Sequence, residues 1–403
     1  MEYSTLEPWQ EVCENGVVYD LGSLYDCFQQ LPDPRCARGK RYSLPTLLVL
    51  IFLAKLCGQA TPVEIADWCA NHAEELQGLL KLERNWMPHH NTVRRVFQEI
   101  VGEEEFNQLC QAYHQTRGEP ETAGEVYALD GKRLRGTQRA DGERADHLVS
   151  VYAVAAQQVL AQAAVDSKEN EISVAPQVLE QVNLKDKVVC GDAMQTQRGL
   201  SEQIVRASGD YLWPVKENQP RLYAAIEQLF APPHSRPGWG TMRTDFRQAQ
   251  TVNKGHGRIE KRSLTSSALL NDYLDWPGVA QVYRLERCFT WLRQGAAIRT
   301  SHEVEYGITS LNCREAPPAR LLQLRRQYWR IETGLHYRRD VTLREDATRM
   351  TIGAAGKILA MIHNLVLWLL KRAGFDNAAK GRRWFAGHLQ EAFAMLTSAP
   401  ARL

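Results

Sequence analysis

Glu125-Val126-Tyr127-Ala128-Leu129-Asp130 is a short apolar run that stops on an acid, and Lys187-Val188-Val189-Cys190-Gly191-Asp192 repeats the pattern further along. Both runs have the length and the β-branched or aromatic content of buried strands. A carboxylate at the C-terminal end of a strand is held by the sheet and points out from its edge. Between the two runs, His147 to Ala155 and Val159 to Val165 read as further strands, joined tightly through Ala156-Gln157-Gln158. Pro176 is expected to open a helix through Val178, Leu179 and Val182. After the second acid, Thr196 to Ala207 reads as helix and Tyr211 to Val215 as strand. A hairpin meander followed by parallel additions predicts an α/β fold: a mixed central sheet flanked by helices.

Upstream the texture is helical. Residues 1–18 carry no clear pattern, and Leu21 to Leu31 is a short apolar-periodic stretch closed by Pro32 and Pro34. Ser43 and Pro45 mark the start of a helix over 44–57, Thr61-Pro62 a second, Asn91 a third, and 103–116 a fourth. Downstream, residues 217–305 break the rhythm with Pro232-Pro233, Pro237-Gly238 and the segment Asn253 to Arg258, around β-rich runs such as Val279 to Leu285. Glu303 to Leu311 reads as strand, Ala319 to Tyr337 as a long Arg-rich helix, and Ala354 to Arg372 as an apolar helix. The expected division is an all-helical region over 1–120, the first part of a core over 121–216, a β-rich insertion over 217–305, and the rest of the core with C-terminal helices over 306–403.

The chain has 403 residues, 44% hydrophobic and 24% charged, which is ordinary globular composition and excludes collagen-like, mucin-like and disordered classes. Its net charge of +2 hides an asymmetry. Residues 1–120 carry ten basic and seventeen acidic side chains, and the remainder 39 and 30, so a polyanionic partner should mostly meet the second part. No targeting segment is expected, because the N-terminus lacks a basic region followed by an apolar run. The longest apolar run, Leu44 to Cys57, is interrupted by Lys55 and falls short of the ~20 residues of a membrane span. Nine scattered cysteines form no C-x-x-C pair, which points to a reducing cytoplasm rather than a disulfide framework.

If the two strands neighbour each other, Asp130 and Asp192 come within a few ångströms. Two carboxylates that close repel unless a cation sits between them. Mg²⁺ accepts such oxygens together with water and phosphate oxygens. A third acid from a facing helix would complete a two-metal phosphoryl-transfer centre. Glu332 is the candidate. At 3.6-residue spacing it shares a face with Arg325, Tyr328, Trp329, His336 and Arg339, and nine Arg against five acids lie between 314 and 350. Taken singly, an Asp at a strand end is usually a capping residue, and a mixed Arg/Glu helix is usually a solvated face. Asp340, Glu345 and Asp346 compete for the role of third acid.

Several segments together carry a family resemblance: YALDGKRLRGT (127–137) with the strand HLVSVYAV, SKENEI (167–172), VVCGDAMQTQ (188–197), GDYLWPVKENQP (209–220), GHGRIEKR (255–262) and YWRIETGLHYRRDVTLREDATRM (328–350). The N-terminal stretch LPDPRCARGKRYSLPTLLVLIFLAKLCG (31–58) resembles the helical domain associated with the same enzymes. Over nearly its whole length the chain resembles an insertion-sequence transposase of the ISAs1 group, related to the IS4-like DDE transposases. The resemblance implies an RNase H-like core, a mixed five-stranded sheet with the β-rich insertion before its last helix. It also implies that Asp130, Asp192 and Glu332 are the catalytic and metal-holding triad, with two Mg²⁺ ions for which Mn²⁺ substitutes. The IS4-like signature around the Glu is Tyr, two residues, Arg, three residues, Glu, six residues, Lys. Arg339 fills the Lys position, while Arg325 and Tyr328 stand where Tyr and Arg would be.

The implied activity is cleavage of phosphodiester bonds at terminal inverted repeats and transfer of the freed 3′-OH ends to target DNA. The implied partners are DNA and a second copy of the chain in the DNA complex, in a bacterial cytoplasm without membrane association. Candidate DNA contacts are Lys132, Arg133, His256, Arg258, Arg325, Tyr328, Arg330 and Arg339, with Arg135 and a cluster of Arg35, Arg38, Lys40 and Arg41 as further basic positions. Trp329 is expected in the core. A nuclease that does not join strands, or a DNA-binding regulator with an unused site, would share most of these features. The lack of a G-x-x-x-x-G-K-[ST] loop weighs against a phosphotransferase that acts on something other than nucleic acid.

Overall fold

The computed structural model describes residue 7 and residues 9–38, 40–117, 122–139, 145–166, 169–231, 245–255, 257–293 and 296–399. The N-terminal region is not all helical. It opens with a two-stranded antiparallel ribbon, β1 (Gln10–Val12) and β2 (Val18–Asp20), too short for either period to show in sequence. Six helices follow: α1 (Leu24–Gln29), α2 (Leu44–Leu56), α3 (Pro62–Asn71), α4 (Ala73–Leu80), α5 (His90–Arg95) and α6 (Glu103–Arg117). The Ser43 hydroxyl accepts from the Thr46 amide at the start of α2, and Thr61 and Glu64 form a reciprocal capping box on α3. Every residue of α2 is buried, Lys55 included, so the helix shows no polar face.

The sheet comes next in the chain. β3 (Glu125–Arg133), β4 (His147–Ala153) and β5 (Gln158–Ala164) form an antiparallel meander. α7 (Glu171–Leu179) crosses to β6 (Lys187–Cys190), and α8 (Arg198–Arg206) to β7 (Asp210–Val215), both strands parallel to β3. Pro176 lies inside α7 rather than at its start, because the helix is already capped by the Asn170 side chain accepting from the Ser173 amide. Beyond α9 (Pro220–Phe230) come four strands, β8 (Arg247–Gly255), β9 (Arg258–Ser267), β10 (Gln281–Arg293) and β11 (Ala296–Thr309).

The sheet has nine strands, in the order β5-β4-β3-β6-β7-β11-β10-β9-β8, where five were expected in the core. β7 would otherwise present an open edge of unpaired backbone groups. Tyr306 to Thr309 of β11 pair antiparallel with Leu212 to Val215 and cover it, so the inserted strands extend the core sheet. Gly307 permits the join: a Cβ there would run into the Tyr283 ring and the Trp213 carbonyl.

α10 (Pro318–Tyr328) begins the Arg-rich segment, which stays helical past Trp329 but is wound as π-helix over Glu332–His336 and Arg338–Thr342. α11 (Ala355–Arg372), α12 (Ala378–Phe385) and α13 (Leu389–Thr397) complete the chain. One apolar cluster joins the N-terminal helices, α10 to α13 and one face of the sheet, and a second packs α7, α8 and α9 on the other face. The N-terminal helices therefore share a core with the C-terminal ones. Polar ties reinforce the join. Arg382 Nε donates to the Lys55 carbonyl at 3.1 Å, and Lys357 pairs with Glu103 at 3.0 Å. Among the described residues no helix is long and apolar enough to cross a membrane.

Candidate active site

Ala128 and Cys190 are the last register partners of the parallel pair β3–β6, and Asp130 and Asp192 each follow two residues later. The two acids thus stand on neighbouring chains just beyond the last β3–β6 pair. β3 continues along β4, which holds Asp130 opposite Ser150. β6 stops, and Asp192 turns the chain: its Oδ1 accepts from the amides of Met194 (2.9 Å) and Gln195 (3.3 Å). Gly191 sits between, where a Cβ would press on the Trp213 ring and the Gln195 side chain.

The Arg-rich helix closes over this end. Tyr328 Oη donates to Asp130 Oδ1 at 3.4 Å, and His336 Nδ1 stands 3.5 Å from Asp130 Oδ2. Glu332 lies between them in sequence, is exposed, and makes no side-chain hydrogen bond or ion pair among the described residues. It is the first residue of the first π-turn, a distortion that recurs at functional sites. Asp192 and Glu332 both lie close enough to Asp130 for their charges to act on its carboxyl.

A fourth acid, Glu171, joins them, and sequence reasoning missed it. It opens α7, its carboxylate fills the space a side chain on Gly131 would occupy, and its Oε1 lies 2.8 Å from His147 Nε2. Gln195 Nε2 donates to its Oε2 at 3.4 Å. The available signal was its place in SKENEI, which carried resemblance but no chemistry of its own.

Burial, then the charges of Asp192 and Glu171, push the Asp130 carboxyl up to about 7, with Glu332 adding to the effect. Burial also raises Asp192 and Glu332. Burial holds the His336 imidazole down at about 3, so it is neutral, and its buried Nε2 has no partner among the described residues. Burial and the neighbouring Asp130 raise the Tyr328 phenol, which therefore stays a donor. Hard carboxylate oxygens crowded at the end of a sheet, where burial and then mutual repulsion oppose their charge, suit Mg²⁺ or Mn²⁺. Among the described residues no three His, Cys, Asp or Glu side chains stand together as a ready-made metal cage.

The expected DNA contacts divide by burial. Arg133 and Arg330 are exposed, and Arg258 stacks 5.2 Å over the Phe289 ring. His256 lies outside the described residues. Arg325 is buried with its guanidinium forked onto Glu305 at 2.8 and 3.0 Å. Arg339 is fully buried on Glu345, and Tyr328 is buried against Asp130. Lys132 is buried and reaches both oxygens of Asp340, at 2.6 and 2.7 Å. These four therefore brace the site and offer no free charge to a groove; the π-turns abolish the single 3.6-spaced face on which three of them were aligned. The same pairs occupy Asp340 and Glu345, while Asp346 accepts from the Arg135 amide. Trp329 is 42% exposed, not in the core. Of the N-terminal basic cluster, Arg35 and Lys40 both pair with Asp33.

The Transposase DDE domain model matches residues 121–369, which span both aspartates and Glu332. The chain belongs to the DDE transposase family. The DDE transposase-associated model matches residues 25–114, the N-terminal helices. Escherichia coli K12 YbfL is 27% identical over 356 residues, covering 87% of this chain and 91% of that protein. YncI of Escherichia coli O157:H7, provisionally named a transposase, is 29% identical over 362 residues, covering 87% and 88%. YhhI of Escherichia coli K12, an H repeat-associated protein also provisionally named a transposase, is 26% identical and covers 87% and 91%. A piggyBac transposase synaptic complex with hairpin DNA overlaps 94% of this chain and 78% of its own at 10% identity and a TM-score of 0.40.

Proposed function

We propose that the chain is an insertion-sequence transposase of the ISAs1 group, which cleaves phosphodiester bonds at the terminal inverted repeats of its element and joins the freed 3′-OH ends to target DNA. The observation that carries this reading is the convergence of Asp130, Asp192 and Glu332 on one end of the sheet, from two adjacent parallel strands and a π-wound helix. The strand order β5-β4-β3-β6-β7 supports an RNase H-like core, with β8–β11 as the insertion before its last helices.

Asp130, Asp192 and Glu332 would hold Mg²⁺. The ions, when bound, supply Lewis-acid activation of the attacking oxygen and stabilisation of the leaving oxygen. Tyr328 holds one oxygen of Asp130, and His336 Nδ1 stands by the other, so the two side chains orient the carboxylate. The Lys132–Asp340 and Arg325–Glu305 pairs fix the helix against β3 and β11, so that Glu332 is presented from a braced element. No covalent protein–DNA link is needed, and Tyr328, kept protonated, acts as donor rather than nucleophile. Arg133, Arg258 and Arg330 contact DNA phosphates, the N-terminal helices take part in end recognition, and two copies of the chain pair the two ends.

The test is an end-cleavage assay on the repeats that flank the coding sequence, with Mg²⁺, Mn²⁺ or EDTA, followed by strand transfer of pre-cut ends. Asp192→Asn and Glu332→Gln should each lose cleavage by about a thousandfold or more while still binding DNA. Normal cleavage by Asp192→Asn would overturn the assignment, and hydrolysis without transfer would identify a nuclease.

A further inference from the structure

β9 and β10 put two arginines side by side. Arg262 and Arg287 are register partners and project on the same face of the sheet, with Thr251 of β8 opposite the first and Glu303 of β11 opposite the second. Like charges directly opposite each other weaken a sheet. Some compensation exists: Glu260 pairs with Arg262 at 2.6 Å, and Glu303 and Glu305 lie 3.5 and 3.6 Å from Arg287. It is incomplete. Among the described residues Arg262 Nη1, Arg287 Nε and Asn253 Nδ2 are buried donors without a partner, and Thr251 Oγ1 and Gln327 Oε1 beside them are also unpaired. Buried unpaired donors are costly and call for an acceptor.

α10 supplies the facing wall. Arg326 Nη1 donates to Asn253 Oδ1 at 3.3 Å, and a groove of about 390 Å³ runs past Thr251, Gln323, Arg326, Gln327 and Arg330. The Arg287 guanidinium lies 5.7 Å from the ring of Trp329, three residues before Glu332. Among the described residues four guanidiniums (Arg262, Arg287, Arg326, Arg330) thus stand with two carboxylates, Glu260 paired with Arg262 and Glu303 with Arg287, since Glu305 is claimed by Arg325. Farther out along β10 the same face carries Phe289 and Trp291, each beneath a further arginine, Arg258 and Arg299. A basic stripe interleaved with aromatic rings, leading away from the acidic site, has the charge and shape of a nucleic-acid track.

We propose that the cleft between β8–β10 and α10 seats a backbone phosphate of duplex DNA, with Arg262 and Arg287 as its paired donors and Arg326 closing it. This rests on the transposase reading and adds to it residues that neither the triad nor the expected DNA contacts included. The phosphate takes the unpaired N–H groups and separates the two guanidiniums, so the strain within the free protein is relieved on binding.

Binding of a fluorescent duplex, followed by anisotropy across a salt series, tests the seat. The proteins compared are the full-length wild type, Arg262→Gln/Arg287→Gln, Arg326→Gln and the distant exposed control Arg206→Gln. Arg326→Gln should bind more weakly with part of the slope lost, and the double variant should bind about tenfold or more weakly, with a salt slope shallower by about one, the share of a single phosphate contact. The double variant's melting temperature should stay level or rise, because two like charges have been removed. Affinity and slope equal to those of Arg206→Gln would overturn the seat, as would a lowered melting temperature, which marks a structural pair. If the double variant does not fold, an unchanged slope in Arg326→Gln overturns it. A wild type that binds no duplex overturns the DNA reading itself, a different result from a wild type that binds and variants that bind equally well.

Discussion

Asp130 concentrates the electrostatic strain of the site. Its carboxyl is held up to about 7 where an unfolded chain would titrate near 3.8. The folded form keeps the proton longer, so the stability this group contributes is present below about pH 4 and is lost as the pH rises to about 7. In EDTA, Asp130→Asn should therefore be more stable than wild type at pH 8, by about 2 kcal/mol or more, with little difference at pH 4. Urea midpoints at the two pH values measure this, and equal midpoints at pH 8 would contradict it. Both aspartates were legible as acids that follow buried strand runs, but β3 continues past Asp130 to Arg133, because its pairing with β4 outlasts its pairing with β6. Glu171 was not legible, because only the crossing of α7 brings its carboxylate beside Gly131. The burial of Arg325 and Arg339 was equally hidden: an arginine's pattern in sequence is the same whether it meets solvent or a buried Glu305 or Glu345.

At the scale of elements, the Arg-rich helix is held by a buried polar chain. Arg339 grips Glu345, which accepts from His363 Nδ1 at 2.7 Å, and His363 Nε2 lies 3.1 Å from Lys55 Nζ on α2. Glu345→Gln would leave Arg339 buried without its counter-charge and should cost about 3–5 kcal/mol, read from denaturant unfolding. The loss should also loosen the π-wound segment, so end cleavage should fall more than DNA binding. The strand junction makes a second case. Gly307→Ala drives a Cβ into the Tyr283 ring and the Trp213 carbonyl, and should destabilise by about 2 kcal/mol or more. Hydrogen exchange should locate the damage at the β7–β11 pairing, leaving the β3–β4 hairpin protected.

Across the whole molecule, the region read as a separate helical domain has no separate core. Val49, Phe52 and Phe97 belong to the same apolar cluster as Ile358 and Leu365 of α11 and Leu389 and Leu396 of α13. The N-terminal helices and α11 should therefore unfold together. Calorimetry of the full chain should show one transition, and amides of α2 and α11 should exchange at matched rates near the global limit. Two resolved transitions would contradict a shared core.

The sequence alone determined the local structure: which apolar runs form strands beside the acids, where Ser43 and Thr61 cap helices, and the hairpin-then-crossover order that makes the sheet mixed. Periods of two and 3.6 residues, caps and breakers act over a few neighbours, so a single stretch records them. Tertiary structure alone decided which acids meet, which arginines are sealed in pairs, and that the inserted strands continue the sheet through Gly307. Those outcomes depend on desolvation and packing between segments far apart in the chain, whose free energies are set only when the segments touch.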